Sequence, residues 1–337
     1  MGPLRELSGS SRRQVVVLTV GVFVLQLLFI TSYVGGLGKP SPKALPVGVV
    51  GPAPVVELIR TEVAKKTDAF DFRAYPNEKA ARTAIDHRKI YGAIVFAAEG
   101  PNEDLVIISE APSPFTGQAI RKGVAAIDAT TKRTAKFEIV HPLPEGDSEG
   151  LSLFYLVVGW VVGGYLLGTV LGLARGTAPG FRQVFWRLGV YAGYAVLSGM
   201  GGAWLMHGTL DLSPGRWFSL ALVGALLSFA ASSATGAFQS LIGDIGTALA
   251  ILLFVVLGNP SSGGPFTQEF LGGIWRWVGP WLPPGAGVEA GRSVTYFDGY
   301  GAAPHVWVLV GWSVFGVAVA AALAMRRDPH GETPVPA

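Results

Sequence analysis

Residues 14–38, QVVVLTVGVFVLQLLFITSYVGGLG, run for 25 positions without a charged side chain. That is too long and too apolar for the surface of a water-soluble fold. About 20 apolar residues carry a helix across the hydrocarbon of a bilayer. A secretory signal has a shorter apolar core and a small-residue cleavage site, whereas LGKPSPKALP follows here, so the run reads as a helix that stays attached. Further apolar runs cover residues 151–173, 188–206, 217–239, 241–258 and 305–325, which makes six spans. Only SLIGDIG separates the fourth run from the fifth, so these two should form a tight hairpin.

Charge is kept away from these runs. Of 26 lysines and arginines, 15 lie between Lys39 and Lys136, all nine lysines among them, and all nine tryptophans come later. A soluble segment of about 110 residues, enough for one small domain, is therefore inserted between the first span and a five-span body. The formal net charge of +3 comes mostly from short arginine flanks, and no nucleic-acid partner is expected. The absence of cysteine excludes disulfides, cysteine-ligated zinc and a thiol nucleophile.

Arginine placement orients the spans, because loops on the cytoplasmic side are rich in basic residues. Arg5, Arg12 and Arg13 precede span one, Arg175, Arg182 and Arg187 lie between spans two and three, and Arg326 and Arg327 end span six. With six spans all three groups fall on one side. The expected layout is a cytoplasmic tail (1–13), span one (14–38), an extracytoplasmic α/β domain (39–150), a five-helix membrane domain (151–325) and a cytoplasmic tail (326–337), in the cell membrane. The fold class is thus an α-helical polytopic membrane protein with a small α/β domain between helices 1 and 2. Within that domain the patterns PVGVVG, FDFRAYP, YGAIVFA, DLVIISE and KFEIVHPLP read as strands, with GPNE as the β-turn between the third and fourth and helices in the other segments between. The order is β-α-β-α-β-β-α-β, with Asn77 as a cap.

Few motifs carry chemistry. Gly38-Lys39 is followed by proline and forms no phosphate-binding loop, and neither HExxH nor GxSxG occurs. The five histidines (His87, His141, His207, His305, His330) are scattered and read as surface or interface residues. No cofactor is expected in this chain and no catalytic role is assigned. Gly159, Gly163, Gly164, Gly168 and Gly172 in span two form overlapping small-xxx-small patterns, suited to packing inside the bundle, to a homodimer seam or to a sliding helix. Asp244, the lone acid between residues 217 and 258, is either a functional intramembrane acid or a helix cap at a turn. The 174–187 loop combines Arg175, Arg182 and Arg187 with Phe181, Phe185 and Trp186. It is a topology signal with an interfacial anchor, or a short amphipathic helix offered to a cytoplasmic partner.

Residues 259–287 are rich in glycine and proline yet hold Trp275, Trp277 and Trp281. Phe270, Ile274, Trp277, Val278 and Trp281 stand at helical spacing, a face fit for the headgroup boundary of a lipid membrane, and the flanking breakers favour a re-entrant segment. Asn259, Pro260, Phe270, the three tryptophans, Pro283 and Pro284 are the candidate outer gate. The two prolines are expected to turn the chain back outward towards span six.

One span, an extracytoplasmic α/β domain and five further spans, together with YGAIVF, LIGDIGTALAILLFVVLGNPSSGG and GPWLPPGAG, resemble the ABC-2 type transporter permeases, in the branch related to the phage infection protein. The resemblance implies a dimeric membrane subunit that exports a hydrophobic or amphipathic substrate, with ATP hydrolysed by a separate cytoplasmic subunit. It assigns 174–187 as the coupling helix, 4–13 as a connecting helix and the segment after span five as re-entrant helices. The outer domain is much smaller than in the long phage-infection-type proteins. The alternative function is a receptor or secretion scaffold whose outer domain binds a partner.

Overall fold

LPVGVV, the apolar run that follows the first long helix, becomes the heart of a sheet because both of its faces find cover. A computed structural model of the chain describes residues 9–63, 67–97, 103–131, 133–177 and 179–327. Most of the N-terminal tail, the GPN of the expected β-turn and the C-terminal residues 328–337 lie outside the described residues.

Helix α1 (Gly9–Leu37) leads through a short connection to β1 (Leu45–Val50), α2 (Ala53–Leu58, continued by a π-helical turn Ile59–Val63) and β2 (Phe70–Ala74). Then come α3 (Glu78–Asp86), β3 (Gly92–Val95), β4 (Glu103–Ser109), α4 (Pro114–Thr131) and β5 (Thr134–Val140). This is the order read from the sequence. The sheet order is β2-β1-β3-β4-β5, parallel throughout except for the β3–β4 pair. On one face Val47, Val49, Val106 and Ile108 pack against Ile120 and Val124 of α4. On the other, Ala93 and Ile107 meet Ala81, Ala84 and Ile85 of α3. The Asn77 side chain accepts a hydrogen bond from the Ala80 N–H at 2.9 Å and starts α3, satisfying one of the amides a helix start leaves bare. Arg82 grips Glu138 with two bonds of 2.8 and 2.6 Å. That charge-assisted pair ties α3 to β5 and lowers the Glu138 carboxyl pKa.

The helical body comprises α5 (Ser152–Arg175), α6 (Phe181–Leu205), α7 (Pro214–Ile242), α8 (Ile245–Ile251), α9 (Gly258–Ser261), α10 (Gly273–Val278), α11 (Pro283–Tyr296) and α12 (Ala302–Arg327). Helix α7 is its axis, with a buried run from Ala230 to Ser240. The glycines of α5 explain how α7 comes so close. A Cβ on Gly164 or Gly168 would strike the Ser228 or Ser232 carbonyl of α7, and one on Gly172 would strike the Gln239 side chain. Gly163 faces Tyr194 of α6, while Gly159 has open space beside it. Four of the five glycines are thus used inside the chain.

Among the described residues, four helices are long and apolar enough to cross a membrane: Val15–Leu37, Ser152–Arg175, Pro214–Ile242 and Ala302–Arg326. Two of the six expected runs differ. Helix α6 spans 25 residues, but five glycines, two arginines and a glutamine dilute its apolar character. The fifth run is a shorter apolar helix, Ile245–Ser261, and its middle, Leu252–Leu257, is π-helical. Pro260 has no N–H to return to the preceding turn, and a π-bulge is a common way to absorb such a mismatch.

A second difference concerns Pro283 and Pro284. They do not turn the chain outward. They open α11, a 14-residue helix buried along most of its length, because the fixed φ of proline suits the first turn of a helix and its missing N–H costs nothing there.

Candidate functional site

The 258–282 segment is the joint of the molecule, and it is not one helix. A 3₁₀ turn covers Gln268–Phe270, α10 covers Gly273–Val278, and a second 3₁₀ turn covers Gly279–Trp281. Gly273 stands at φ +55°, a conformation that disfavours other residues, and the break at this point separates Phe270 from the tryptophans. Phe270 does not face lipid headgroups as expected. It is buried in the core of the sheet domain, and Phe266 stacks on it and packs at a tilt against Phe115 of α4. The Lys43 amide donates to the Glu269 carbonyl at 2.8 Å, and the Ser113 hydroxyl donates to the Pro265 carbonyl at 3.1 Å.

The other side of the joint holds α1. Trp275 lies against Gly35 and Gly36, and its indole N–H donates to the Ser32 hydroxyl at 3.1 Å. Asn259 donates to the Tyr33 hydroxyl at 3.1 Å, and Pro260 packs beside Gly36. Ile274, Trp277 and Trp281 remain exposed. The Trp281 carbonyl accepts from the Trp312 indole of α12 at 2.9 Å. Trp281, Trp307, Trp312, Phe315, Phe238 and Leu253 wall an apolar groove of about 570 Å³.

Beneath the sheet domain lies a buried ionic cluster that sequence reasoning missed. Arg88, at φ +58° after α3, reaches α11. Its guanidinium pairs with the Glu289 carboxylate and donates to the Glu289 carbonyl at 3.0 Å and the Ser293 hydroxyl at 2.5 Å. Arg292 donates to the same carboxylate at 3.0 Å and to the Gly263 and Gly264 carbonyls at 2.6 and 2.5 Å. Burial alone would raise the Glu289 pKa, but the two guanidiniums prevail and hold it at about 2. Tyr91 donates to Glu269 at 2.8 Å, and burial together with the Glu269 and Glu289 charges pushes its hydroxyl pKa well up. His87 stacks on Tyr300, and His141 packs on Phe297. Sheet domain, joint and α11 are therefore locked by one polar network. The available signal was Glu289 and Arg292 three residues apart on a helix opened by a proline pair.

At the far end of α5, the expected 174–187 loop is mostly helix, since α6 begins at Phe181. Arg187 does not face a partner. It is buried and donates to the Leu171 and Gly176 carbonyls at 3.2 and 2.5 Å, the second a carbonyl at the end of α5 with no helical partner. Arg175 lies over the Trp186 ring at 4.8 Å. Phe181, Phe185 and Trp186 are 40%, 60% and 47% exposed, with Arg182 exposed beside them. Asp244 occupies the cap position of α8, yet its backbone is already helical and its side chain makes no capping bond. It is exposed at the α7–α8 turn, so water answers its charge and the capping role is absent.

Compared with models of protein families, with curated proteins and with solved structures, the chain matches none.

Proposed function

We propose that this chain is the permease subunit of an ABC-type exporter. It would be a homodimer in the cell membrane that moves a hydrophobic or amphipathic substrate out of the cytoplasm or inner leaflet, powered by a separate cytoplasmic ATPase subunit. In this reading all six helical runs cross or enter the bilayer, with both termini cytoplasmic and the sheet domain outside. The resemblance of the sequence motifs supports it, and one observation carries it. The α5–α6 turn presents Phe181, Phe185 and Trp186 with Arg182 at the end of α5 remote from the sheet domain, about 36 Å away at 1.5 Å per residue. Exposed aromatics beside a cation form the anchor composition of a protein interface.

The rest of the body suits a relay from that turn. Arg187 fastens α6 to the end of α5, and the glycines press α5 onto α7 without intervening side chains. Helix α11 touches both α5 and α7 and carries Glu289 beneath the sheet domain. A tilt of the α5–α6 pair would thus move α11, the Trp281 turn that precedes it and the aromatic groove on α12. The test is affinity purification from the native membrane in mild detergent, with the co-purifying chains identified. An ATPase subunit that is retained by the parent and lost with Phe181→Ala/Phe185→Ala supports the reading. Repeated isolation without any ATPase refutes it.

A further inference from the structure

Where the sheet domain hands the chain to α5, a polar cleft of about 690 Å³ opens between the 141–146 connection, the 208–216 connection and the end of α11. Its charge is unbalanced. Arg216 is taken up by Asp298 at 2.9 Å and His141 by Asp86 at 2.9 Å, whereas Glu145 and Asp211 line the cleft with no ion-pair partner among the described residues. Thr295, only 1% exposed, lines the same cleft, and its hydroxyl has no hydrogen-bond partner. Just behind the lining, Asp147 spends one carboxylate oxygen on the start of α5, accepting from the Leu151 and Ser152 amides at 3.0 Å. Its other oxygen is buried and unpartnered. A buried polar atom without a partner normally costs stability, and two of them beside an acidic cleft fit a site made for a donor-bearing cation.

The cleft has an apolar continuation. A groove of about 450 Å³ runs between α5 and α6, floored by Tyr155, Leu156, Gly159 and Trp160 on one helix and Gly202 and Leu205 on the other. It begins at Ser152 and Met206, next to the turns that wall the cleft. Those turns touch, since a Cβ on Gly146 would lie 3.1 Å from the Thr209 carbonyl. Gly159 is the one glycine of the α5 motif that presses on nothing, and the open space beside it belongs to this groove.

We propose that the cleft and groove together form a binding site for a cationic amphiphile. An ammonium head sits among Glu145, Asp211 and Thr295 against the Tyr296 ring, which adds a cation–π contact, and the apolar chain lies beside Gly159. A bare metal ion is a poorer fit, because no three acidic or histidine side chains among the described residues converge tightly enough to hold one. The assignment deepens the export reading and rests on it only for calling the ligand a substrate.

The test uses the full chain in phosphatidylcholine nanodiscs, without any ATPase, with radiolabelled dodecylammonium, a primary amine that keeps its N–H donors, as the probe and empty discs as the blank. Saturable binding is expected, weakened about tenfold by Glu145→Gln/Asp211→Asn, the equivalent of about 1.4 kcal/mol. Gly159→Leu should weaken it comparably by filling the groove. As a check independent of that bulkier variant, Gly159→Cys in the otherwise cysteine-free chain should be protected from a bilayer-permeant maleimide by dodecylammonium but not by dodecyl sulfate. Equal protection by the sulfate, or parent-like binding by the Glu145/Asp211 and Gly159→Leu variants, overturns the proposal. Competition by phosphatidylethanolamine added to the discs would assign the amine to a bilayer lipid. Lack of competition would assign it to a single-chain amphiphile, and either result supports the site. Because no ATPase is present, failure to find an energising partner leaves this measurement intact, and the reverse also holds.

Discussion

Arg88 shows how much one side chain can decide. Its backbone sits in the left-handed region, an uncommon place for a residue with a Cβ, and from there its guanidinium reaches a helix 201 residues away in sequence. Removing one partner of a buried pair costs about 3–5 kcal/mol, because the other charge is left buried and unanswered. Arg88→Ala is therefore expected to lower thermal stability in detergent sharply, and adding Glu289→Gln should recover part of the loss. If the double variant is as unstable as the two single changes combined, the side chains act independently and the pair is not the source. The pH dependence has a definite sign. The folded Glu289 pKa of about 2 lies below the ordinary 4.5, so its stabilisation is complete above pH 4.5 and drains away as pH falls towards 2. Unfolding of the parent, followed by intrinsic tryptophan fluorescence, should steepen across that window, whereas Glu289→Gln should lose that part of the slope. Asn77 was legible in the sequence because a cap acts within three residues. Glu289 was not, because its meaning depends on a partner that only the folded chain brings near.

At the scale of elements, the same contrast governs what periodicity could reveal. The strands and helices of the sheet domain follow from alternation and apolar spacing, since both faces of its sheet are covered by its own helices. The 258–282 segment defeats that method. Its aromatic spacing suggests one amphipathic helix, but Gly272 and Gly273 interrupt it and its residues serve three masters: Phe266 and Phe270 the sheet core, Trp275 helix α1, and Ile274, Trp277 and Trp281 the outer surface. Spin labels should report this division. Labels at 274 and 277 are expected to collide readily with dissolved oxygen, which concentrates in the bilayer, and little with a water-soluble nickel complex, as indole-bearing interfacial positions do. A label at 275 should be shielded from both. High nickel accessibility at 274 and 277 would make the segment an ordinary aqueous loop. Helix α11 was hidden for a related reason: a run of glycine, alanine and proline looks like a linker, and only its burial between α5, α7 and α12 makes it a helix.

For the whole molecule, the question is which way it faces and whether its two ends are joined in function. The long apolar helices are plain in the sequence because bilayer thickness sets their length, while α6 and the Ile245–Ser261 run are less plain because packing against α7 substitutes for hydropathy. The proposed topology, drawn from the arginine bias, has the α5–α6 turn in the cytoplasm and the sheet domain outside. The absence of native cysteine lets single introduced thiols test this in intact cells. An impermeant maleimide should label Lys79→Cys and leave Arg182→Cys untouched until the membrane is opened; the opposite pattern would invert the protein. The proposed function is tested on the same surfaces. If an ATPase docks on Phe181 and Phe185, their replacement by alanine should leave insertion and Lys79→Cys labelling unchanged, because both rings are exposed and support no core packing. Stimulation of ATP hydrolysis by the membrane subunit should then fall, and export with it. Arg187→Leu gives the complementary case. It leaves the docking rings in place but removes the clamp between α6 and α5, so the ATPase should still co-purify while hydrolysis no longer drives export. Loss of co-purification in both variants would mean that the turn merely needs to be folded. Loss in the first with retention in the second would separate the surface that receives the force from the bond that transmits it.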